Sequence, residues 1–152
     1  MGTAIKLDVP VNLYDQDFYV WTVEQADLLR RRKPDWMDWN NVAEELESMG
    51  KRDRRELLSR LILVLMHLAK WQWQKDKRSP SWQSTINIQR LKLRLILDDS
   101  PSLRSFLEYS MQESWEGAIN KAANETGLPT SAFPKTCPWD IDKQILADWW
   151  PE

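Results

Sequence analysis

The most apolar segment of the chain is LLSRLILVLMHL, residues 57–68. It lies within a segment, residues 51–75, that has helix-forming composition and apolar side chains on almost every side of a helix. A helix that is apolar all round is buried among other helices. The sequence therefore predicts that this segment is the central helix of an all-α bundle.

Start and stop signals predict the helices around the central one. Ser79-Pro80 and Ser100-Pro101 each combine an N-cap residue with a first-turn proline. Gly50 and Gly127 are typical helix stops. The predicted main helices are residues 14–32, 38–50, 51–75, 80–97 and 101–125, followed by a Pro-rich C-terminal segment with a short helix over residues 140–148. Trp149 and Trp150 end this segment and are expected to dock on the bundle or on a partner.

One predicted helix, residues 38–50, has an apolar stripe with a polar edge. The stripe comprises Trp39, Val42, Leu46 and Met49, and we expect it to pack inward. The polar edge contains Asn41, Glu45 and Ser48, with Glu44 beside them.

Length and composition favour one domain. A chain of 152 residues can bury a sizeable core. We expect an N-terminal arm over residues 1–13, a helical core over residues 14–126, and residues 127–152 packed on that core. A single cysteine excludes an intrachain disulfide, and neither a signal peptide nor a membrane span is recognisable. The expected location is the cytoplasm, without membrane attachment.

The net charge of -2 conceals an uneven distribution along the chain. Residues 1–27 carry -4, residues 28–94 carry +8, and residues 95–152 carry -6. The basic middle could face a polyanion, or its charges could meet the acidic ends within the fold. The ten tryptophans mainly predict a core filled by large rings.

Arg90 is the strongest local anomaly, because Ile86 and Leu93 place it on a buried helix face. A buried guanidinium needs a carboxylate or several carbonyl oxygens. Glu44 and Glu45 are the natural partners, and Asn41 could complete the hydrogen bonding.

The one histidine, His67, lies in the most apolar helix, where imidazole prefers to be neutral and hydrogen-bonded. Glu44 or Glu45 could be its partner, with Lys70 bordering the same cluster. The candidate cluster is Asn41, Glu44, Glu45, His67, Lys70 and Arg90. It is interpreted first as a polar network that fixes helix register. The alternative is an enzyme site with Glu44 or Glu45 and His67 as an acid–base or metal-binding pair and Arg90 binding an anion.

A second candidate is the basic, Trp-rich segment 70–82. Aromatic rings beside basic side chains can stack bases and neutralise phosphates. Trp71 and Trp82 fall on predicted core faces, which leaves Trp73 as the exposed ring. The nucleic-acid candidates are Trp73, Lys75, Lys77 and Arg78; the competing interpretation is a solvated basic turn.

Several familiar chemistries are not indicated. The sequence contains no phosphate-binding Gly-rich loop, nucleophile elbow or dinucleotide fingerprint. Cys137 between Thr136 and Pro138 has no helix start or nearby histidine to activate it. One histidine with two adjacent glutamates is a weak metal signature, so no metal or cofactor is predicted.

The order of signals resembles a bacterial family of small helical proteins, domain-of-unknown-function family 29. The resemblance extends from about Tyr14 to Pro151. The residues that carry it are Tyr14, Asp17, Phe18, Trp21, 28–30, Asp38, 41–50, 67–71, Ser81-Trp82, Thr85-Ile86, Gln89-Arg90, 100–103, 125–129, Phe133-Pro134 and 137–139. The resemblance implies an all-helical fold and no assigned activity.

The predicted function is non-enzymatic: a small binding or accessory protein that acts through a protein partner, with self-association also open. An enzyme built on Glu44 or Glu45, His67 and Arg90 is the first alternative. Nucleic-acid binding through segment 70–82 is the second. Missing catalytic signatures, surplus aromatic residues and segregated charge motivate this order.

Overall fold

The computed structural model describes residues 13–152. The predicted N-terminal arm, residues 1–13, therefore lies almost wholly outside the described residues. The described residues divide into two compact units: unit 1 ends at Lys51, and unit 2 comprises residues 52–152. Within residues 13–152 the regular structure is entirely helical, which confirms the predicted fold class.

Five α-helices form the framework. They are α1 (Phe18–Arg30), α2 (Trp39–Trp73), α3 (Pro80–Asp99), α4 (Leu103–Tyr109) and α5 (Met111–Thr126). Short 3-10 turns lie at Pro34–Trp36, Lys75–Lys77 and Thr130–Ala132, and a π-helical turn lies at Ile141–Ile145.

The predicted stop at Gly50 is wrong, because α2 runs through it without interruption for 35 residues. A glycine inside a helix costs only about 1 kcal/mol relative to alanine. The hydrogen-bonded turns on both sides, together with the buried C-terminal half of α2, outweigh that cost. The two helices predicted over residues 38–75 are therefore one.

The predicted helix over residues 101–125 is divided at Ser110 into α4 and α5. Ser110 still donates its N–H to the carbonyl of Phe106 and accepts from the N–H of Ser114. Since backbone bonding continues on both sides, Ser110 marks a local distortion within an almost continuous helical path.

Two other predicted boundaries, the start of α3 and the end of α5, are confirmed. The Ser79 hydroxyl accepts from the N–H of Trp82, with Pro80 at the first helical position. Gly127 ends α5 with a φ of 76°, in the left-handed region that favours glycine. The predicted start of the first helix at residue 14 is not confirmed, because Asp17 interrupts the helical path and caps α1 by accepting from the N–H of Val20. The helix predicted from Pro101 begins at Leu103.

The core of unit 2 is built around the C-terminal half of α2, as predicted. Leu57, Leu61 and Leu68 of that half are fully buried. The other elements contribute Ile86 and Leu93 of α3, Leu107 of α4, Trp115, Ala118 and Ala122 of α5, and Phe133, Trp139 and Ile145 of the C-terminal segment.

Candidate functional site

The residues of the predicted cluster belong to both units. Asn41, Glu44 and Glu45 lie in unit 1, and His67, Lys70 and Arg90 lie in unit 2.

In unit 1, the polar edge of α2 is held by residues of the N-terminal helical region. Glu45 accepts a hydrogen bond from the Tyr14 hydroxyl. Asp38 accepts from the Trp21 indole at 3.2 Å and from the Asn41 amide at 2.9 Å. These polar groups therefore form a satisfied network around Trp21, which is buried.

Arg90 in unit 2 is 2% exposed, so the prediction that it points inward is confirmed. Its Nε donates to the carbonyl of Ile145 at 2.8 Å and its Nη2 to that of Gln144 at 3.0 Å. Of the two alternatives for pairing a buried guanidinium, the structure uses carbonyl oxygens. Arg94 donates to the next carbonyl, that of Leu146, at 2.6 Å.

This arrangement fastens the C-terminal segment to α3. Carbonyls at the end of a helical turn have no partner within the turn and carry partial negative charge. The guanidinium of Arg90 supplies donors there and lies 5.4 Å from the centre of the Trp150 ring. Burial lowers the pKa of Arg90 to about 10, so the guanidinium stays charged at neutral pH.

His67 donates to the backbone of its own helix. Its Nδ1 lies 2.9 Å from the carbonyl oxygen of Leu63, which can only accept. The neutral ring must therefore carry its proton on Nδ1, leaving the Nε2 lone pair unprotonated. Burial is the main cause that lowers the pKa of His67, and the charge of Lys70 adds to it.

The acidic partner of Lys70 within unit 2 is Glu125, which the sequence analysis did not single out. The ammonium donates to Glu125 at 3.0 Å and lies 4.5 Å from the centre of the Trp82 ring. Glu125 stands 55 positions away along the chain, and an acid in the last turn of a helix gives no signal of such a pairing. The neutral His67 and the Lys70–Glu125 ion pair form a small polar cluster, in which the ion pair links α2 to α5.

The described residues contain no group of three or more histidine, cysteine, aspartate or glutamate side chains placed to hold a metal ion. In the structure, the side chains of the His67 cluster form hydrogen bonds and an ion pair. Burial also raises the pKa of Cys137, which keeps its thiol protonated.

Several side chains of the Trp-rich segment pack against other parts of the protein. Trp73 was expected to be exposed, but it is half-buried, with its ring centre 5.5 Å from that of Phe133. Trp71 packs against Trp150 at 4.7 Å, and Arg78 donates to the carbonyl of Trp71 at 2.8 Å. Lys75 and Lys77 are the exposed members of the four nucleic-acid candidates.

Unit 2 also has a surface cleft that sequence reasoning missed. A cavity of about 610 Å³ lies between α5 and residues 130–136, with Trp115, Ile119 and Phe133 among its lining residues. A second cavity of about 420 Å³ shares Gln112 and Thr136 with the first. Because loop residues form one wall, periodicity along the helices could not reveal it.

The apolar stripe at the start of α2 is the feature that departs most from expectation. Trp39, Leu46 and Met49 are 55%, 64% and 52% exposed. These three residues are called the α2 outer stripe below. The neighbouring polar edge of the helix makes internal contacts of unit 1. The prediction that the stripe packs inward is therefore wrong for these three residues, whereas Val42, its fourth member, is partly buried.

Comparison with known families agrees with the resemblance seen in the sequence. The model of a family described as domain of unknown function DUF29 matches residues 13–150. The chain belongs to this family. Comparisons with curated proteins and with solved structures give no match. No helix of this DUF29 chain within residues 13–152 has the length and hydropathy needed to cross a bilayer. The family description names no activity, so a function for this DUF29 member must be proposed from its geometry.

Proposed function

We propose that this chain is a non-enzymatic binding protein that acts through a protein partner, and that the partner docks on the α2 outer stripe. The observation that carries the proposal is the exposure of large apolar side chains on the first three turns of α2. Their polar edge is used internally, while their large apolar side chains face solvent.

An exposed stripe of this kind is costly unless another surface covers it. Single exposed hydrophobic residues are common, but clustered ones mark interaction sites. Trp39, Leu46 and Met49 follow one another at spacings of seven and three residues, which places them on one helix face in the manner of a heptad seam. The stripe therefore suits an amphipathic helix of a partner.

Charge indicates what else that partner helix carries. The first three turns of α2, residues 39–49, contain three glutamates and neither lysine nor arginine, whereas basic residues stand before and after them at 30–33 and 51–55. A surface with apolar side chains among acids favours a partner whose apolar residues are bordered by basic ones. The proposed occupant is thus a basic amphipathic helix, a common mode of peptide recognition by an apolar surface.

Model peptides can test this chemistry directly. The probe is a fluorescein-labelled 14-residue helix of leucine and lysine at three- and four-residue spacing, and its counterpart has glutamate for lysine. Fluorescence anisotropy should show that the leucine–lysine peptide binds and that the leucine–glutamate peptide does not. Leu46→Gln should weaken binding about tenfold or more, because it places an amide in the apolar contact.

Leu91→Gln supplies the matched control. Leu91 is an exposed leucine on α3, in unit 2, so the same chemical change is made away from the proposed surface. Binding should be unchanged in this variant. Equal weakening by both substitutions, or equal binding of both peptides, would contradict the proposal.

A further inference from the structure

A second apolar stripe lies on α3, and it belongs wholly to unit 2. Ile88, Leu91 and Leu95 are 47%, 51% and 52% exposed. They are called the α3 outer stripe. The opposite face of the same helix buries Ile86 and Leu93 in the core, so α3 is apolar on two sides while the fold covers one of them.

The spacing of the α3 outer stripe is that of a helix–helix seam. Ile88, Leu91 and Leu95 follow the three-then-four pattern of the a and d positions of a heptad. Ser84 occupies the preceding d position and is also exposed. The core-facing residues Ile86 and Leu93 fall on the far side of this heptad, so the stripe and the core occupy different faces of α3.

The ends of α3 indicate which helix fits. Its last turn ends in Asp98 and Asp99 and contains no basic residue, although acids are unfavourable at the negative end of a helix. Its first turn contains no acidic residue, although acids are favourable at the positive end. The acids at the C-terminal end of α3 would therefore be favourable beside the N-terminal end, which contains none.

We infer that the α3 outer stripe binds the same stripe of a second copy of this chain, with the two helices antiparallel. With the two-fold axis beside Gln89 and Arg90, Ile88 of each copy lies on Leu91 of the other. Leu95 then lies on Ser84, and Asp98 reaches the α3 N-terminus of its partner. The contact is isologous, as expected for a two-fold dimer.

A single helix pair forms a small interface. Stable interfaces bury about 1,200 Å² or more, and one pair of this length buries less. The expected dimer is therefore weak, with a dissociation constant on the order of 10–100 μM. Sedimentation velocity of the full chain between micromolar and several hundred micromolar concentrations covers this range.

Two variants assign the association to one face. Leu91→Gln should raise the dimer dissociation constant about tenfold or more, whereas Leu46→Gln on the α2 outer stripe should leave it unchanged. A monomer at every concentration overturns the inference, as does an association lost only in Leu46→Gln. Because the peptide-binding test uses a different face, failure here leaves the proposed function standing.

Disulfide trapping tests the orientation. In a Cys137→Ser background, Ser84→Cys alone should form no disulfide dimer, because the antiparallel arrangement separates the two positions by roughly 16 Å along the helices. An equimolar mixture of Ser84→Cys and Leu95→Cys chains should oxidise to a mixed dimer. A disulfide dimer of Ser84→Cys alone would show parallel helices and overturn the inference, and so would a mixture that stays monomeric.

Discussion

Arg90 and Ile145 are joined by a buried hydrogen bond of 2.8 Å between the guanidinium Nε and the carbonyl oxygen. The bond links α3 to a turn that lies 55 residues further along the chain. The Nη1 of Arg90, in contrast, is buried and has no hydrogen-bond partner among the described residues. Arg90 thus fastens the C-terminal segment to α3, and its two hydrogen bonds to the carbonyls of Gln144 and Ile145 are called the Arg90 clasp.

Loss of this clasp should destabilise the protein. Arg90→Met keeps much of the side-chain volume but leaves the carbonyls of Gln144 and Ile145 without their guanidinium donor. We expect the free energy of unfolding to fall by about 2–4 kcal/mol in urea denaturation. Arg31→Met, which removes an exposed ion pair with Asp27, should cost less than about 1 kcal/mol. Similar losses in the two variants would show that Arg90 is not a clasp.

The sequence predicted the burial of Arg90 but not its partners. Ile86 and Leu93 fix the face on which Arg90 lies, since helix periodicity is a local property. Its partners are main-chain carbonyls from a distant turn. Every residue has a carbonyl, so no side-chain pattern in the sequence could mark these two.

The apolar stripes also show a limit of what the sequence can predict. Periodicity identified Trp39, Leu46 and Met49 as one face, and the structure keeps them on one face. Whether a face is covered depends on what packs against it, which periodicity does not specify. Leu46 and Leu57 both lie on α2 and both belong to apolar patterns in the sequence, yet Leu46 is exposed and Leu57 is buried.

Substitution by alanine should have opposite effects on the free energy of unfolding at Gly50 and at Gly127. A Cβ at Gly50 or at Gly127 meets no atom within 4 Å, so packing is not involved. Gly50 is inside α2, where alanine should stabilise the fold by about 0.5–1 kcal/mol. Gly127 has a φ of 76°, where alanine should destabilise it by about 1 kcal/mol. Urea denaturation of both variants measures the difference, and changes of the same sign would contradict the continuous α2 or the left-handed cap.

His67 should titrate below its ordinary pKa of 6.5, and it is the only histidine in the chain. NMR of the imidazole nitrogens should show the Nδ1–H tautomer at neutral pH. Lys70→Met should raise the pKa of His67, because the lysine charge lowers it, and Glu125→Gln should lower it further. Shifts in the reverse directions would refute this cluster.

The same pKa shift has a consequence for stability. The folded state holds the proton of His67 less tightly than the unfolded chain does. The contribution of His67 to stability is therefore present above pH 6.5 and is lost as the pH falls toward the lower pKa of the folded state. In His67→Gln this part of the pH dependence, measured by urea denaturation, should disappear.

Tyr14 should ionise with a pKa of about 12, chiefly because its hydroxyl donates to Glu45. Its contribution to stability is present below the ordinary value of 10 and is lost as the pH rises toward 12. Glu45→Gln should bring the pKa of Tyr14 back toward 10, whereas Glu47→Gln should leave it unchanged. Ring-carbon NMR distinguishes Tyr14 from the other two tyrosines; an ordinary pKa in the native protein would contradict the pairing.

The methyl group of Met49 reports on the proposed docking surface most directly. In protein labelled at the methionine methyls, the leucine–lysine peptide is added while the methyl NMR spectrum is followed. We expect the signal of Met49, on the α2 outer stripe, to shift with saturation, and the signal of the buried Met66 of unit 2 to keep its position. An unmoved Met49 signal, or a shift confined to Met66, would contradict the claim that a basic amphipathic helix docks on the stripe.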